Sequence, residues 1–331
     1  MKNRQWLLAR RPDGAIKDSD FQFVETEAPT AGDGEALVRN LMLSCDPTQR
    51  AWVAGDTYLP AVKIGEVVRS FGVGRVETSN SPDLRPGDIV LGLVGWQDYA
   101  AMKPAGLTKL PPGAPIELAM GVLGMIGMTA YFGLLDVGRP KEGETVVVSG
   151  AAGATGSLVG QIAKIKGCRA IGIAGGAEKC RWLTHELGLD AAIDYKSEDV
   201  KGQLKELCPK GIDIFFDNVG GPILDAALGR LAMRGRIVLC GGISAYDAAE
   251  PPPGPRNYLN LVSRRGRMEG FLVTDYMPRA AEAIGALAGW VKEGKLKYRV
   301  DVQRGLENAP ATLRRLFEGL NEGKQLLRIA E

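Results

Sequence analysis

Residues 144 to 156, Glu-Thr-Val-Val-Val-Ser-Gly-Ala-Ala-Gly-Ala-Thr-Gly, carry the first pattern able to do chemistry: a β-branched run that breaks into a ladder of glycines. Gly150, Gly153 and Gly156 stand at the offsets of a G-x-x-G-x-x-G turn. The first glycine permits a tight strand-to-helix turn, the second lets backbone N–H groups approach a pyrophosphate, and the third lets the helix pack close to the sheet. The pattern alone also fits a plain turn, so its surroundings decide. Leu158, Val159, Ile162, Ala163 and Ile165 give the next segment an apolar stripe of helical period, and Arg169 to Ala174 read as a second strand. A strand, turn, helix, strand unit of this length is what a dinucleotide seat requires.

The end of that second strand selects among dinucleotides. An Asp or Glu there bonds a ribose 2′-hydroxyl. This chain instead has Ile173-Ala174-Gly175-Gly176-Ala177, with Lys179 and Arg181 just beyond. Positive charge in place of the acid suits a 2′-phosphate and favours NADPH. Glu178 lies next door, and a lysine at a helix start is commonly only solvated, so Lys179 considered alone leaves both readings open.

The elements that must hold these residues follow from length and periodicity. At 331 residues the chain suits two domains, each large enough for its own core. A hydrophobic content of 45% and a net charge of +2 describe an ordinary globular protein, with no basic field for nucleic acid. After the glycine turn, strands are expected near Ala191 to Asp194, Ile212 to Asp217 and Arg236 to Cys240, with helices from Glu198 and Pro222. That alternation means a doubly wound parallel sheet covered on both faces. Residues 1 to about 120 read as short strands between Pro and Gly turns, at Ala36 to Asn40, Ile64 to Arg69, Gly72 to Glu77 and Asp88 to Leu93, which suits a β-barrel-like domain. The tail returns to helices at Pro278 to Glu293 and Leu306 to Glu322 and a strand at Lys324 to Ala330.

Four further features bound the function. Leu118 to Leu135 is uncharged, but its glycines and lack of anchors make it a buried inter-domain helix rather than a membrane span. Met1 to Gly14 is charged and has no apolar signal region, and five dispersed cysteines (45, 168, 180, 208, 240) fit a reducing cytoplasm. The single histidine, His185, projects opposite the stripe of Trp182, Leu183 and Leu187 and reads as a surface residue. Pro251 to Pro255 reads as a stiff loop beside the strand ends, or as a mere connector.

Five ordered motifs carry a resemblance over nearly the whole chain: Leu43-Ser44-Cys45-Asp46-Pro47, Gly127-Met128-Thr129-Ala130-Tyr131, Gly150 to Gly156, Asp217-Asn218-Val219-Gly220-Gly221 and Glu269-Gly270-Phe271-Leu272-Val273. They resemble the zinc-independent medium-chain dehydrogenase/reductases, in the branch of prostaglandin/leukotriene reductases and plant NADPH-dependent double-bond reductases. The resemblance implies an α/β fold, a GroES-like β-barrel-type catalytic domain (1–120 and 292–331) joined to a Rossmann NADP-binding domain (121–291). It implies that Gly153, Ala154, Thr155 and Gly156 cradle the pyrophosphate and that Lys179 and Tyr195 hold the 2′-phosphate. Asn218, the loop Cys240-Gly241-Gly242-Ile243-Ser244-Ala245-Tyr246, the strand end Phe271-Leu272-Val273, Asn321, Met125 and Thr129 would position ribose and nicotinamide. Asn218 could instead cap the next helix, and Phe271 could be pure core. Independently of the resemblance, one histidine and scattered thiols cannot assemble a zinc site, and Cys45 reads as a packed thiol.

The resemblance implies hydride transfer from NADPH to the β-carbon of an α,β-unsaturated ketone or aldehyde, with donors needed for the resulting enolate oxygen. Plant double-bond reductases carry tyrosines where this chain has Ser263 and Thr48. Tyr258 is the nearest substitute and the expected catalytic donor, with packing under the proline run as its other reading; Tyr58, Tyr246, the ribose hydroxyl and solvent are the alternatives. A zinc-free quinone oxidoreductase and an NADPH-binding protein without turnover remain the competing functions. A homodimer through the edge Arg267 to Val273 is also implied.

Overall fold

The computed structural model describes residues 1–250 and 252–331. The chain opens with an antiparallel ribbon of β1 (Lys2–Leu8) and β2 (Phe21–Glu27). It continues through β3 (Ala36–Ser44), α1 (Thr48–Ala54), β4 (Gly72–Ser79), β5 (Ile89–Gly92), β6 (Tyr99–Met102) and β7 (Leu107–Lys109). The antiparallel strands pair in the order β3-β4-β5-β7, with β6 also on β3. Val38, Leu43, Val73, Val90 and Trp96 are fully buried beneath them. The expected strand at Ile64 to Arg69 does not form. Gly65 turns the chain at a φ of 87°, leaving only a bridge between Leu7 and Val67.

Two short helices, α2 (Ile116–Met120) and α3 (Met125–Phe132), lead to the second sheet. The single helix expected over Leu118 to Leu135 is therefore broken. Gly121 and Gly124 sit together at the break, where two poor helix formers cost about 1 kcal/mol each relative to alanine. No helix among the described residues is long and apolar enough to cross a membrane.

The second sheet contains β8 (Thr145–Ser149), β9 (Arg169–Ala174), β10 (Ala191–Asp194), β11 (Ile212–Asp217), β12 (Leu231–Leu239) and β13 (Arg267–Gly270). Between them run α4 (Ala154–Ile165), α5 (Ala177–Arg181), α6 (Val200–Leu207), α7 (Gly221–Gly229), α8 (Ile243–Tyr246) and α9 (Asn260–Arg264). The order is β10-β9-β8-β11-β12-β13 and every pair is parallel. Val146, Val147, Val148, Ile171, Ile173, Ile214, Phe215 and Phe216 are 0% exposed, as strands covered on both faces require. The order reverses between β8 and β11, which opens a crevice at their carboxyl ends, the place where ligands of open α/β sheets bind.

The tail supplies α10 (Ala280–Lys292), β14 (Val300–Arg304), α11 (Ala309–Phe317) and β15 (Lys324–Arg328). The helix expected to reach Glu322 stops at Phe317, ahead of Gly319 at a φ of 66°. β15 pairs antiparallel with β3, so the last strand belongs to the first sheet. On the way it touches the glycine ladder: Gly323 N–H donates to Ala152 O at 3.1 Å, and Gly153 and Gly323 form a parallel bridge.

Among the described residues strand β13 is bonded only to β12, and its outer edge is unpaired. Leu259, Val262, Leu272 and Met277, around this end of the sheet, are 63%, 73%, 37% and 44% exposed. An open strand edge beside exposed apolar side chains is a template for association. Light scattering at micromolar concentration is expected to give a dimer, and Leu259→Glu combined with Val262→Glu to give a monomer. A monomeric wild-type chain would contradict the expectation.

Candidate active site

A cleft of about 1500 Å³ runs along the carboxyl ends of β8, β9, β11 and β12 and reaches the inner wall of the barrel-like sheet. Its centre is the start of α4. Gly153 is the N-cap and no side chain caps the helix, so the first N–H groups, at Ala154, Thr155 and Gly156, are left for a ligand at the positive end of the helix dipole. A Cβ on Gly156 would lie 2.4 Å from the Gly150 carbonyl oxygen, so only glycine lets the turn close this tightly.

The neighbouring strand ends are locked together by one buried network. Ser149 Oγ donates to Asp217 Oδ1 at 2.7 Å, and Asn218 N–H donates to Ser149 Oγ at 2.8 Å. The N–H groups of Val219 and Gly220 also donate to Asp217 Oδ1, each at 3.0 Å. Burial pushes the Asp217 carboxyl up, and its Oδ2 has no partner. Asn218 Nδ2 donates to Ser149 O at 2.7 Å, which sets Asn218 on the cleft wall. It does not cap α7, whose N-cap is Gly220.

At the far end of the cleft Lys179 Nζ donates to Gly319 O at 2.8 Å, and burial lowers its pKa. Tyr195 stands beside it, 46% exposed. Gly175 lets the Tyr195 ring lie close against the strand end, since a Cβ would stand 2.9 Å from that ring. Arg181 is exposed and off the cleft.

Other expected residues divide clearly. Gly150, Met125, Thr129, Cys240, Gly241, Ile243, Ser244, Tyr246, Val273 and Asn321 line the same cleft, as do Pro252 to Pro255; Pro251 lies outside the described residues. Gly242, Ala245, Phe271, Leu272 and Tyr258 do not line it. Gly242 instead donates its N–H to Tyr246 Oη at 3.3 Å, and Ala245 donates its N–H back to Gly242 O in the same turn. Phe271 packs edge-on to Phe216, their ring centroids 6.4 Å apart, against the face that Gly133 leaves bare, so it is core. Leu272 points outward. Tyr258 is 55% exposed beside Leu259 and does not line the cleft, although Arg256 and Asn257 of the same turn do.

The barrel wall contributes one of the alternative donors weighed from the sequence, Tyr58, and one contact that the sequence does not show. Tyr58 and Thr48 share a hydrogen bond of 3.1 Å between their hydroxyls, and both line the cleft next to Trp52. Beneath them Lys324 Nζ, almost fully buried, donates to Cys45 O at 3.0 Å and to Asp46 Oδ1 at 2.6 Å. The partners are 278 residues apart, which hides them from any local pattern. Cys45 is buried and Cys240 is enclosed at the cleft wall; burial pushes each thiol up to about 12.

The domain described as the N-terminal domain of oxidoreductase matches residues 4–110, and the domain described as zinc-binding dehydrogenase matches residues 154–288. The chain is 46% identical to NADPH-dependent curcumin reductase of Escherichia coli, covering 99% of this chain and 97% of that one. It belongs to the zinc-independent medium-chain dehydrogenase/reductases. It is also 40% identical to 2-alkenal reductase (NADP(+)-dependent) of Nicotiana tabacum, covering 100% of this chain and 98% of that one. The crystal structure of CurA from Vibrio vulnificus in complex with NADPH matches it with a TM-score of 0.95 at 43% identity, over 99% of both chains.

One of the matched domains is described by a metal, and the residues of this reductase do not fit one. The thiol of Cys45 is held protonated by burial, and the Lys324 ammonium already occupies the carboxylate that a cation would seek. His185 is exposed and does not line the cleft. Removing one partner of a buried pair leaves the other charge uncompensated, so Lys324→Met is expected to destabilise the fold by about 3–5 kcal/mol. Denaturant unfolding checks this, and adding Asp46→Asn should restore part of the loss. A cost below about 1 kcal/mol would mark the pair as no more than a solvated contact.

Proposed function

We propose that this chain, an NADP-dependent oxidoreductase, reduces the activated C=C bond of α,β-unsaturated ketones and aldehydes without a metal. The observation that carries the reading is the meeting, in one cleft, of the α4 cradle with the hydroxyl pair of Thr48 and Tyr58 on the opposite wall. The names of the curcumin and 2-alkenal reductases support it; a 2-alkenal is itself an α,β-unsaturated aldehyde.

The cradle fits the pyrophosphate of NADPH, and Lys179 with Tyr195 fits its 2′-phosphate. Bound there, NADPH supplies a hydride to the β-carbon of the substrate. Negative charge then develops on the carbonyl oxygen, and a donor aimed at that oxygen contributes about 3 kcal/mol. Tyr58 supplies the donor, with Thr48 fixing the direction of its hydroxyl. Tyr246 stands behind it: burial raises its pKa and keeps it protonated, while its oxygen accepts the Gly242 N–H and leaves its own proton for donation. Trp52, Phe71, Met125 and Ile126 line the cleft with apolar surface, which keeps the field of these donors from being diluted by water. The α-carbon takes its proton from solvent. Tyr258, on the outer surface, has no part in this scheme.

Two substitutions test the two halves of the cleft. Tyr58→Phe is expected to lower enone turnover by roughly 100-fold with the Michaelis constant for NADPH unchanged. A fall of less than about threefold, under 1 kcal/mol, would move the role to Tyr246. Lys179→Ala is expected to raise the Michaelis constant for NADPH and leave that for NADH nearly unchanged, whereas equal weakening of both would remove the 2′-phosphate assignment. Assays with a 2-alkenal and a benzoquinone side by side test the substrate class: turnover of the quinone alone would overturn it.

A further inference from the structure

The opposite end of the parallel sheet carries a second cavity, of about 420 Å³, and every residue lining it is cationic: Arg139, Lys141, Arg234, Arg236, Arg265 and Arg267. Arg139 and Lys141 precede β8, Arg234 and Arg236 lie in β12, and Arg265 and Arg267 stand at the start of β13. The cavity therefore opens at the amino ends of strands whose carboxyl ends form the cofactor cleft. Nothing in the reductase chemistry uses it.

Three features set this cluster apart. In the parallel register Arg236 stands directly beside Arg267, and like charges so placed repel. Arg139, Arg234 and Arg265 adopt φ values of 51°, 59° and 48°, and among the described residues they are the only non-glycine positions with positive φ. Left-handed backbone is disfavoured for any residue with a Cβ. The Nε atoms of Arg236 and Arg267 are buried and have no hydrogen-bond acceptor, a rare condition for a buried donor.

The local carboxylates do not balance the charge. Glu144 pairs with Arg236, and Glu269 lies 3.7 Å from Arg267. Arg139 Nε donates to Asp136 O at 2.8 Å and Arg265 Nη1 to Ser263 O at 3.3 Å, while Arg267 Nη2 donates to Val137 O. These are backbone carbonyls and carry no net charge. Lys141 and Arg234 have no carboxylate partner among the described residues.

We propose that this cavity is a binding site for a small anion of linked phosphoryl groups, separate from the cofactor cleft. Guanidinium forks match phosphate oxygens two at a time, and such an anion would relieve the repulsion between the strands and supply acceptors where arginine donors lack them. A volume of about 420 Å³ is at the small end of ligand sites, which suits a di- or triphosphate group rather than a whole dinucleotide.

The test is calorimetric titration of inorganic tripolyphosphate into the full chain saturated with NADP, so that the cofactor cleft is already filled. One saturable site per chain is expected. Arg234→Gly with Arg265→Gly removes two charges at positions where glycine adopts the same backbone without penalty, so the variant should fold at least as well. It is expected to bind tripolyphosphate at least tenfold more weakly, while Lys179→Ala leaves that affinity unchanged. No saturable binding, an unaltered affinity in the double variant, or loss of binding in Lys179→Ala would overturn the proposal. So would tighter binding of a short single-stranded oligonucleotide than of tripolyphosphate, which would make the face a nucleic-acid surface.

Discussion

The Gly323 N–H bonded to the Ala152 carbonyl is the contact on which the site depends, because it ties the last strand of one sheet to the ligand turn of the other. A cleft built between two sheets has no rigidity of its own. Here the chain leaves the barrel-like sheet, builds the parallel sheet and comes back, and the return strand docks on the glycine ladder before pairing with β3. The next residue, Lys324, carries the buried ion pair with Asp46. Within two residues the backbone fixes the distance across the cleft and the side chain fixes the floor.

The second constraint is internal to the parallel sheet. Ser149, Asp217 and Asn218 end adjacent strands at the switch in strand order, and their hydrogen bonds hold the two edges of the crevice in register. Orientation of a bound dinucleotide is therefore set by backbone and buried polar groups, which are stiffer than surface side chains. Lys179 and Tyr195 line the rim of the same cleft, away from this network.

What could be read from the sequence follows this division. The β-branched run into Gly150, Gly153 and Gly156 is a local pattern, so the turn, α4 and the flanking strands were legible; β8 to β11 fall where periodicity puts them, while β12 begins at Leu231 rather than at Arg236. Ile64 to Arg69 has strand-like composition but lacks a partner ladder, since Gly65 turns the chain. The glycines of 118 to 135 were visible, yet their break in the helix depends on how the two sheets are joined. Nearness in sequence points to Tyr258, whereas the cleft is assembled from distant segments and has the alternative tyrosines Tyr58 and Tyr246 on its wall. Lys324 and Asp46 are invisible to any window of sequence for the same reason.

The enclosed thiols of Cys45 and Cys240 take on a different meaning beside such a substrate. α,β-Unsaturated carbonyl compounds alkylate thiolates at the same β-carbon that accepts hydride, so a cysteine in the cleft is a route to self-inactivation. The attacking species is the thiolate, not the thiol. Burial pushes each group up to about 12, so the protonated thiol is the resting form of both. For the substrate class proposed above, burial keeps sulfur in the cleft unreactive, and the packing that closes the cleft doubles as chemical resistance to an electrophile.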